Sequence, residues 1–206
     1  MTRRRALLLA GTAIALPGST AAGQAVAQAL RGGAGQGRVV MLRHALAPGT
    51  FDPPGFQLGV CATQRNLSDE GRQQARQIGA WFAACGLRPL RVRSSPWCRC
   101  LETARLAFGE PVEAWGPLGS PSVGSDASNA QALVQLRTAL AAVERRQAGF
   151  EVWVTHMFIF SALLGEGAGS GDAVLLGLGP DGAPRLIDRF TPGDGSRATG
   201  CGRVAG

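Results

Sequence analysis

A chain of 206 residues has room for one sizeable hydrophobic core but not comfortably for two, so a single domain is expected. Its 21 basic residues, all arginine, outnumber 14 acidic ones, but three of them fall in the first five positions. The remaining excess of +4 is scattered rather than striped, which argues against a nucleic-acid partner and suits a small anionic substrate.

The N-terminus reads apart from the domain. Arg3-Arg4-Arg5 makes a basic start, Ala6 to Leu16 is apolar and uncharged, and Pro17 opens a small-residue segment, the three-part layout of a signal peptide. The apolar stretch is roughly half the ~20 residues a membrane-spanning helix needs, so no stable span is expected. Thr2 to Leu7 looks like a twin-arginine export signal, which makes an export machinery the expected partner, with the general secretory route as the alternative. Ala25-Val26-Ala27 fits the small-x-small cleavage rule and Ser19-Thr20-Ala21 offers an earlier site. The cut is placed after Ala27, giving a signal peptide over 1–27, a flexible tether over 28–37, a domain over 38–192 and a loose tail over 193–206, in a periplasmic or secreted protein. An ordinary N-terminal helix is the competing reading, disfavoured by Gly11, Pro17, Gly18 and Gly23.

Within the domain, Val39-Val40-Met41-Leu42 is expected to be a buried strand ending at Arg43-His44. Ala45 to Arg65 then forms a long loop punctuated by Pro48, Gly49, Pro53, Pro54, Gly55 and Gly59, and loops of that length in compact domains tend to be functional. Ser68 is a good N-cap, Asp69 and Glu70 suit a first turn, and Ala75, Ile78, Gly79 and Phe82 recur at helical spacing. These predict a helix over 69–84 stopped by Gly86. A strand over 90–94 and a helix from about 98 to 108 follow. Leu133, Leu136, Leu140 and Val143 form one stripe of a helix over 131–146, and Val152-Trp153-Val154 is a buried strand ending at Thr155-His156. Residues 173–178 and 185–190 flank Pro180-Asp181-Gly182 as a hairpin. Strands alternating with helices predict an α/β domain whose sheet is covered on both faces.

Both histidines of the chain follow directly on a buried strand, at the edge of an open α/β sheet where ligands bind. A third strand end, Arg91-Val92-Arg93-Ser94-Ser95-Pro96, empties into the helix carrying Arg99 and Glu102. If these ends are neighbours, His44 and His156 converge with Arg43 and Arg99, and a cluster of like charge calls for an anion. Arginine's rigid fork matches phosphate oxygens in pairs, and a neutral imidazole can attack phosphorus and hold the phosphoryl group covalently, so phosphoryl transfer fits this inventory. The five cysteines at 61, 85, 98, 100 and 201 form no CxxC pair and no zinc spacing, so no metal and no cofactor are expected. Their odd number leaves at least one thiol unpaired within a monomer.

Four stretches, in order, resemble the signatures of the histidine phosphatase (phosphoglycerate-mutase-like, branch 1) superfamily. They are Leu42-Arg43-His44-Ala45, Arg65-Asn66-Leu67-Ser68-Asp69-Glu70-Gly71-Arg72-Gln73-Gln74-Ala75, Ser94-Ser95-Pro96-Trp97-Cys98-Arg99-Cys100-Leu101-Glu102-Thr103-Ala104 and Val154-Thr155-His156. The resemblance implies a three-layer α/β/α sandwich with a mostly parallel central sheet. His44 would be the nucleophile, Arg43 and Arg99 would bind phosphoryl oxygens, and His156 would steady the transition state. Ala45 stands where the family's commonest form has glycine. Met157 stands where the acid-phosphatase branch has an aspartate, so that branch's proton donor is missing. Glu113 and Asp126 are the equal candidates for the donor, with Glu110 nearby, and none of the three sits in a matching motif. Arg65, Asn66 and Ser95 are candidate phosphate contacts or simply turn and capping residues. Glu102 and Thr103 are read as holding their helix, and Cys61 as packing or a disulfide partner. The expected activity is an exported phosphatase acting on a phosphorylated small molecule or glycan. A phosphohistidine protein phosphatase and a catalytically silent phospho-ligand-binding domain are the alternatives.

Overall fold

The structure, a computed structural model, describes residues 19–120 and 126–193. The elements run α1 (Ser19–Arg31), β1 (Arg38–Arg43), α2 (Asp69–Ala84), β2 (Arg91–Ser94), α3 (Cys98–Phe108), β3 (Glu113–Ala114), α4 (Asp126–Arg146), β4 (Phe150–Thr155), α5 (Met157–Leu164), β5 (Ala173–Leu178) and β6 (Pro184–Phe190). One six-stranded sheet has the order β3-β2-β4-β1-β5-β6. The first four strands in that order are parallel, and β5 and β6 complete the sheet in antiparallel sense as a hairpin.

Strand periodicity divides the core into two. Val40 and Leu42 of β1, Val152 and Val154 of β4, and Ala173 and Leu175 of β5 face α1, α2 and α3, where they meet Ile78, Phe82 and Ala104. Their alternates Val39, Met41, Trp153, Val174 and Leu176 face α4 and α5, packing on Leu136, Leu140, Val143 and Phe160. The result is the three-layer α/β/α sandwich that the sequence predicts.

Helix α2 has the predicted bounds because its cap is built as expected: the Gly71 N–H donates to Ser68 Oγ at 3.1 Å. Two of its glycines permit contacts no other residue allows. A Cβ on Gly71 would sit 2.0 Å from the Leu46 carbonyl oxygen, and one on Gly79 would sit 2.2 Å from that of Ala107. The helix is thereby pressed against both the long loop after β1 and α3.

Three elements depart from the predicted pattern. Helix α4 begins five residues earlier than the apolar stripe suggests, at Asp126. Helix α5 follows His156 directly; its sequence, Met-Phe-Ile-Phe-Ser-Ala-Leu-Leu, is apolar nearly all round and so carries no amphipathic period to read. Helix α1 covers the small-residue cleavage signal at 25–27 and the first residues of the segment read as a tether, which continues as a short turn over Gly33–Gly35. Val26, Ala27 and Leu30 are buried in the core layer beside α2 and β6. Residues 1–18 and the tail beyond 193 lie outside the described residues. Among the described residues no helix is long and apolar enough to cross a membrane.

Candidate active site

Strand register brings the two histidines together. Arg43 of β1 pairs with Thr155 of β4, so the next residues, His44 and His156, emerge side by side. The His44 N–H donates to the Thr155 carbonyl at 2.9 Å, and the two imidazole rings meet edge to face at 5.4 Å between centroids. On the other side of β4, Ser94 pairs with Val154, and the Ser95 N–H donates to the Val154 carbonyl at 2.9 Å. The three strand ends are therefore adjacent, and α3 starts from the third of them, carrying Arg99.

Hydrogen-bond chemistry assigns both imidazole tautomers. Nδ1 of His44 lies 2.8 Å from the Ala45 carbonyl, which can only accept, so Nδ1 carries the proton and Nε2 keeps its lone pair. Nδ1 of His156 lies 3.3 Å from an Arg99 nitrogen, which can only donate, so its proton sits on Nε2 and is given to Ser95 Oγ at 2.8 Å. Both rings are neutral. Burial, then the charges of Arg99, Arg65 and Arg43, outweigh the Ala45 hydrogen bond and lower the His44 pKa to about 3. The same burial, the Arg99 charge and the neighbouring His44 push His156 well below the ordinary histidine value.

A cavity of about 550 Å³ opens over these groups. Arg43, His44, Arg65, Arg99 and His156 all line it, and Thr50, Phe51, Pro53, Pro54, Phe56, Met157 and Phe158 contribute to its walls. A larger cavity of about 760 Å³ lies at the start of β2, but its lining includes no histidine. Arg43 donates to the Ala168 carbonyl at 2.6 Å, and Arg65 donates to that of Ala47. Burial first, then the Arg99 charge, lowers Arg65 from the usual arginine value, a sign of crowded positive charge. The loop backbone is fixed too: the Ala45 N–H donates to Thr103 Oγ1 at 3.0 Å, and that hydroxyl donates to the Arg99 carbonyl at 2.7 Å. Glu102 binds Arg72 at 2.7 Å rather than Arg99.

The other candidates from the sequence lie elsewhere. Ser95 supports His156 from below. Asn66 Nδ2 donates to the carbonyls of Cys61 and Gln64, tying the loop to itself. Glu113 is exposed on β3, 3.6 Å from Arg91 and 3.4 Å from Arg93, and it lines the larger cavity. Asp126 is exposed at the first residue of α4. Neither lines the histidine cavity.

One site residue escapes the sequence reading. Asp52, midway along the loop, lines the cavity and meets Arg99 with both oxygens, at 2.7 and 3.2 Å. Both side chains are only 4% exposed. Asp52 also accepts from the Trp97 indole N–H at 3.1 Å and the Arg65 backbone N–H at 3.0 Å. Burial alone would raise its carboxyl pKa, but the Arg99 and Arg65 hydrogen bonds, the Arg99 charge and the Trp97 bond overcome that and hold it below the usual carboxylate value. A disulfide between Cys61 and Cys98 staples the end of the same loop to the first residue of α3, beside Arg99. Among the described residues Cys100 is the free cysteine; fully buried beneath His156, its thiol is pushed up to about 12 and stays protonated.

Three guanidiniums against one carboxylate leave two positive charges in the cavity lining, equal and opposite to the charge of a phosphomonoester dianion. The model of the histidine phosphatase superfamily (branch 1) matches residues 39–119. Over that stretch the chain is similar to branch 1 histidine phosphatases. The match takes in Arg43, His44, Arg65 and Arg99, while His156 joins them through the register of β1 and β4.

Solved structures repeat the fold. The protein histidine phosphatase SixA complexed with tungstate superimposes with a TM-score of 0.54 at 18% identity, covering 75% of this chain and 97% of that one. A phosphoserine phosphatase mutant from Entamoeba histolytica in complex with phosphoserine gives 0.52 at 16%, covering 75% and 97%. The alpha-ribazole phosphatase from Shigella flexneri gives 0.51 at 15%, covering 78% and 99%. At these identities the likeness is one of fold. No curated protein matches the sequence.

Proposed function

We propose that the chain is an exported phosphatase that hydrolyses a phosphomonoester, or a similarly phosphorylated small molecule or glycan, through a phosphohistidine on His44. The observation that carries this reading is the His44 tautomer: Nδ1 is committed to the Ala45 carbonyl, so the lone pair of a neutral ring is left on Nε2 in a cavity lined by three arginines. Nε2 attacks phosphorus as the ester oxygen departs, and water then displaces the phosphoryl group to give inorganic phosphate. Arg43, Arg65 and Arg99 take up the charge on the phosphoryl oxygens, and His156, held between Ser95 and Arg99, orients the Arg99 guanidinium from the adjacent strand end.

The walls support a leaving group with an apolar face, since Phe51, Pro53, Pro54, Phe56, Met157 and Phe158 surround the cationic floor. Export is supported by the signal-like N-terminus and by the Cys61–Cys98 disulfide, a bond that persists in oxidising compartments.

Full-length protein should hydrolyse an aryl phosphate in the presence of a chelator, because guanidiniums supply the positive charge. His44→Ala should lose more than about 10⁴-fold in kcat. Mass spectrometry after mixing with substrate should find the phosphoryl group on His44. Full turnover by His44→Ala would end this reading, and tight phosphate binding without a label would favour the silent binding domain.

A further inference from the structure

The reaction needs a group that protonates the departing oxygen and later takes a proton from water. The two carboxylates that the sequence nominates, Glu113 and Asp126, are outside the cavity, and Asp52 is the carboxylate that lines it among the described residues. We propose that Asp52 is the acid–base group of this site, held in reserve by Arg99 until a phosphoryl group takes the guanidinium from it. The assignment rests on the phosphoryl-transfer reading given above.

The argument begins with what Arg99 is bound to. Its two terminal nitrogens face the two oxygens of Asp52, the geometry with which a guanidinium grips a phosphoryl group. Asp52 is thus an internal anion occupying a phosphate-type fork. A dianionic ester entering the cavity competes for that fork with twice the charge. Asp52 then keeps only the Trp97 and Arg65 N–H donors and faces a new negative neighbour, conditions that favour its neutral form. It takes its proton from solvent. His44 and His156 do not compete for this role: the first is committed as nucleophile, and the second gives its one proton to Ser95.

The steps balance. As the His44 Nε2–P bond forms and the P–O bond breaks, the Asp52 O–H proton passes to the leaving oxygen, which departs as an alcohol. In the second step water adds to phosphorus as the Nε2–P bond breaks, and the Asp52 carboxylate takes the water proton. After the second step Asp52 is again the neutral acid, and as phosphate leaves and Arg99 returns to it, it releases to solvent the proton it first took from there. The loop is short of freedom for anything but a local swing, because Cys61–Cys98 staples its far end to α3.

The test compares leaving groups. Full-length wild type and Asp52→Asn are assayed on p-nitrophenyl phosphate, whose leaving group needs little protonation, and on glycerol phosphate, whose alkoxide needs a proton. Positioned acids contribute about 10²–10⁴-fold, so Asp52→Asn should lose at least about 100-fold in kcat on glycerol phosphate and less than about 10-fold on the aryl ester. Asp52→Glu should regain part of the glycerol phosphate activity. Equal losses on both substrates, or no loss, overturn the assignment. If Asp52→Asn does not fold, a series of phosphate esters with wild type gives the same answer: kcat nearly independent of leaving-group pKa supports an acid, and a steep dependence overturns it. Phosphoryl label on wild-type His44 separates the outcomes, since its absence defeats the phosphatase reading itself and its presence with equal losses defeats only the role of Asp52.

Discussion

Two buried carboxylates in this protein are held by nearly the same groups. Glu151, near the start of β4, is 1% exposed and meets Arg146, with Arg93 at 3.8 Å and the Trp153 indole N–H at 2.9 Å. Asp52 meets Arg99 and the Trp97 indole N–H. A guanidinium and an indole satisfy each charge, as buried charges require. The difference is in what lies beyond the pair. Glu151 is enclosed between the sheet and α4, whereas Asp52 opens on a cavity that also holds His44, His156, Arg43 and Arg65. The same interaction is structural in one place and available to a ligand in the other, so the pair alone carries no functional information. What decides is whether an anion can reach the guanidinium.

The comparison breaks most forcefully at the staple. The Asp52 end is assembled from a loop and a helix far apart in sequence, joined by a disulfide with a separation of 37 residues. The Glu151 end needs no such link. Closing a loop of this length stabilises by about 3–4 kcal/mol in the chain-entropy model. The double variant Cys61→Ser, Cys98→Ser should therefore lower the denaturant midpoint by a comparable free energy. Hydrogen exchange in it should speed up in the loop and the first turn of α3, with little change at β4. An unchanged midpoint would mean that the loop is held without its disulfide.

The same contrast explains what could be read from the sequence. The partners of Glu151 are close along the chain, Arg146 five residues before and Trp153 two residues after, within a strand whose apolar pattern is plain. The indole and guanidinium that hold Asp52 are 45 and 47 residues away, and Asp52 sits between Phe51 and Pro53 in a loop with no period, so nothing local marks it. His44, His156 and Arg99 were legible because each stands directly after a buried strand or in the helix that follows one, where position in an α/β sheet implies a shared edge. Helix α2 was legible to the residue through its cap. Helix α5 lacks a polar face, and β3 has two residues, so neither has a pattern to detect. In α1, small residues that fit a cleavage rule also fit a close-packed helix. Val26 and Ala27 are buried in that helix, a fact that exists only once the fold does.

A second test works at the other end. Glu151→Gln keeps the shape and an acceptor for Trp153 but removes the charge opposite Arg146 and Arg93. Hydrogen bonds to charged groups are worth about 1.5–3 kcal/mol, so a loss of that size in unfolding free energy is expected. Activity on an aryl phosphate should stay within about twofold, since the residue has no contact with the cavity. A large fall in kcat with intact stability would show that the two ends communicate.

The last effect is a slope with pH, and it belongs to the Asp52 end alone, where both histidines are. Each is neutral when folded, and His44 binds a proton only near pH 3, whereas the unfolded chain protonates histidine near 6.5. Below 6.5 the unfolded state therefore takes up protons that the folded state refuses, and stability falls as pH falls; above 6.5 these residues contribute no slope. Well below 6.5 each buried histidine contributes about 1.4 kcal/mol per pH unit. Asp52 acts in the same direction but later, because its carboxyl is held below its ordinary value near 3.8 and so keeps its charge through this window. Between pH 6 and 4.5 the histidines are thus the distinctive source of slope, and His44→Asn should reduce it by about one histidine's share. Denaturant midpoints at pH 7, 6, 5 and 4.5 measure this. An identical slope in wild type and His44→Asn would mean that His44 is already protonated in the folded protein, which would leave Nε2 without the lone pair on which its attack depends.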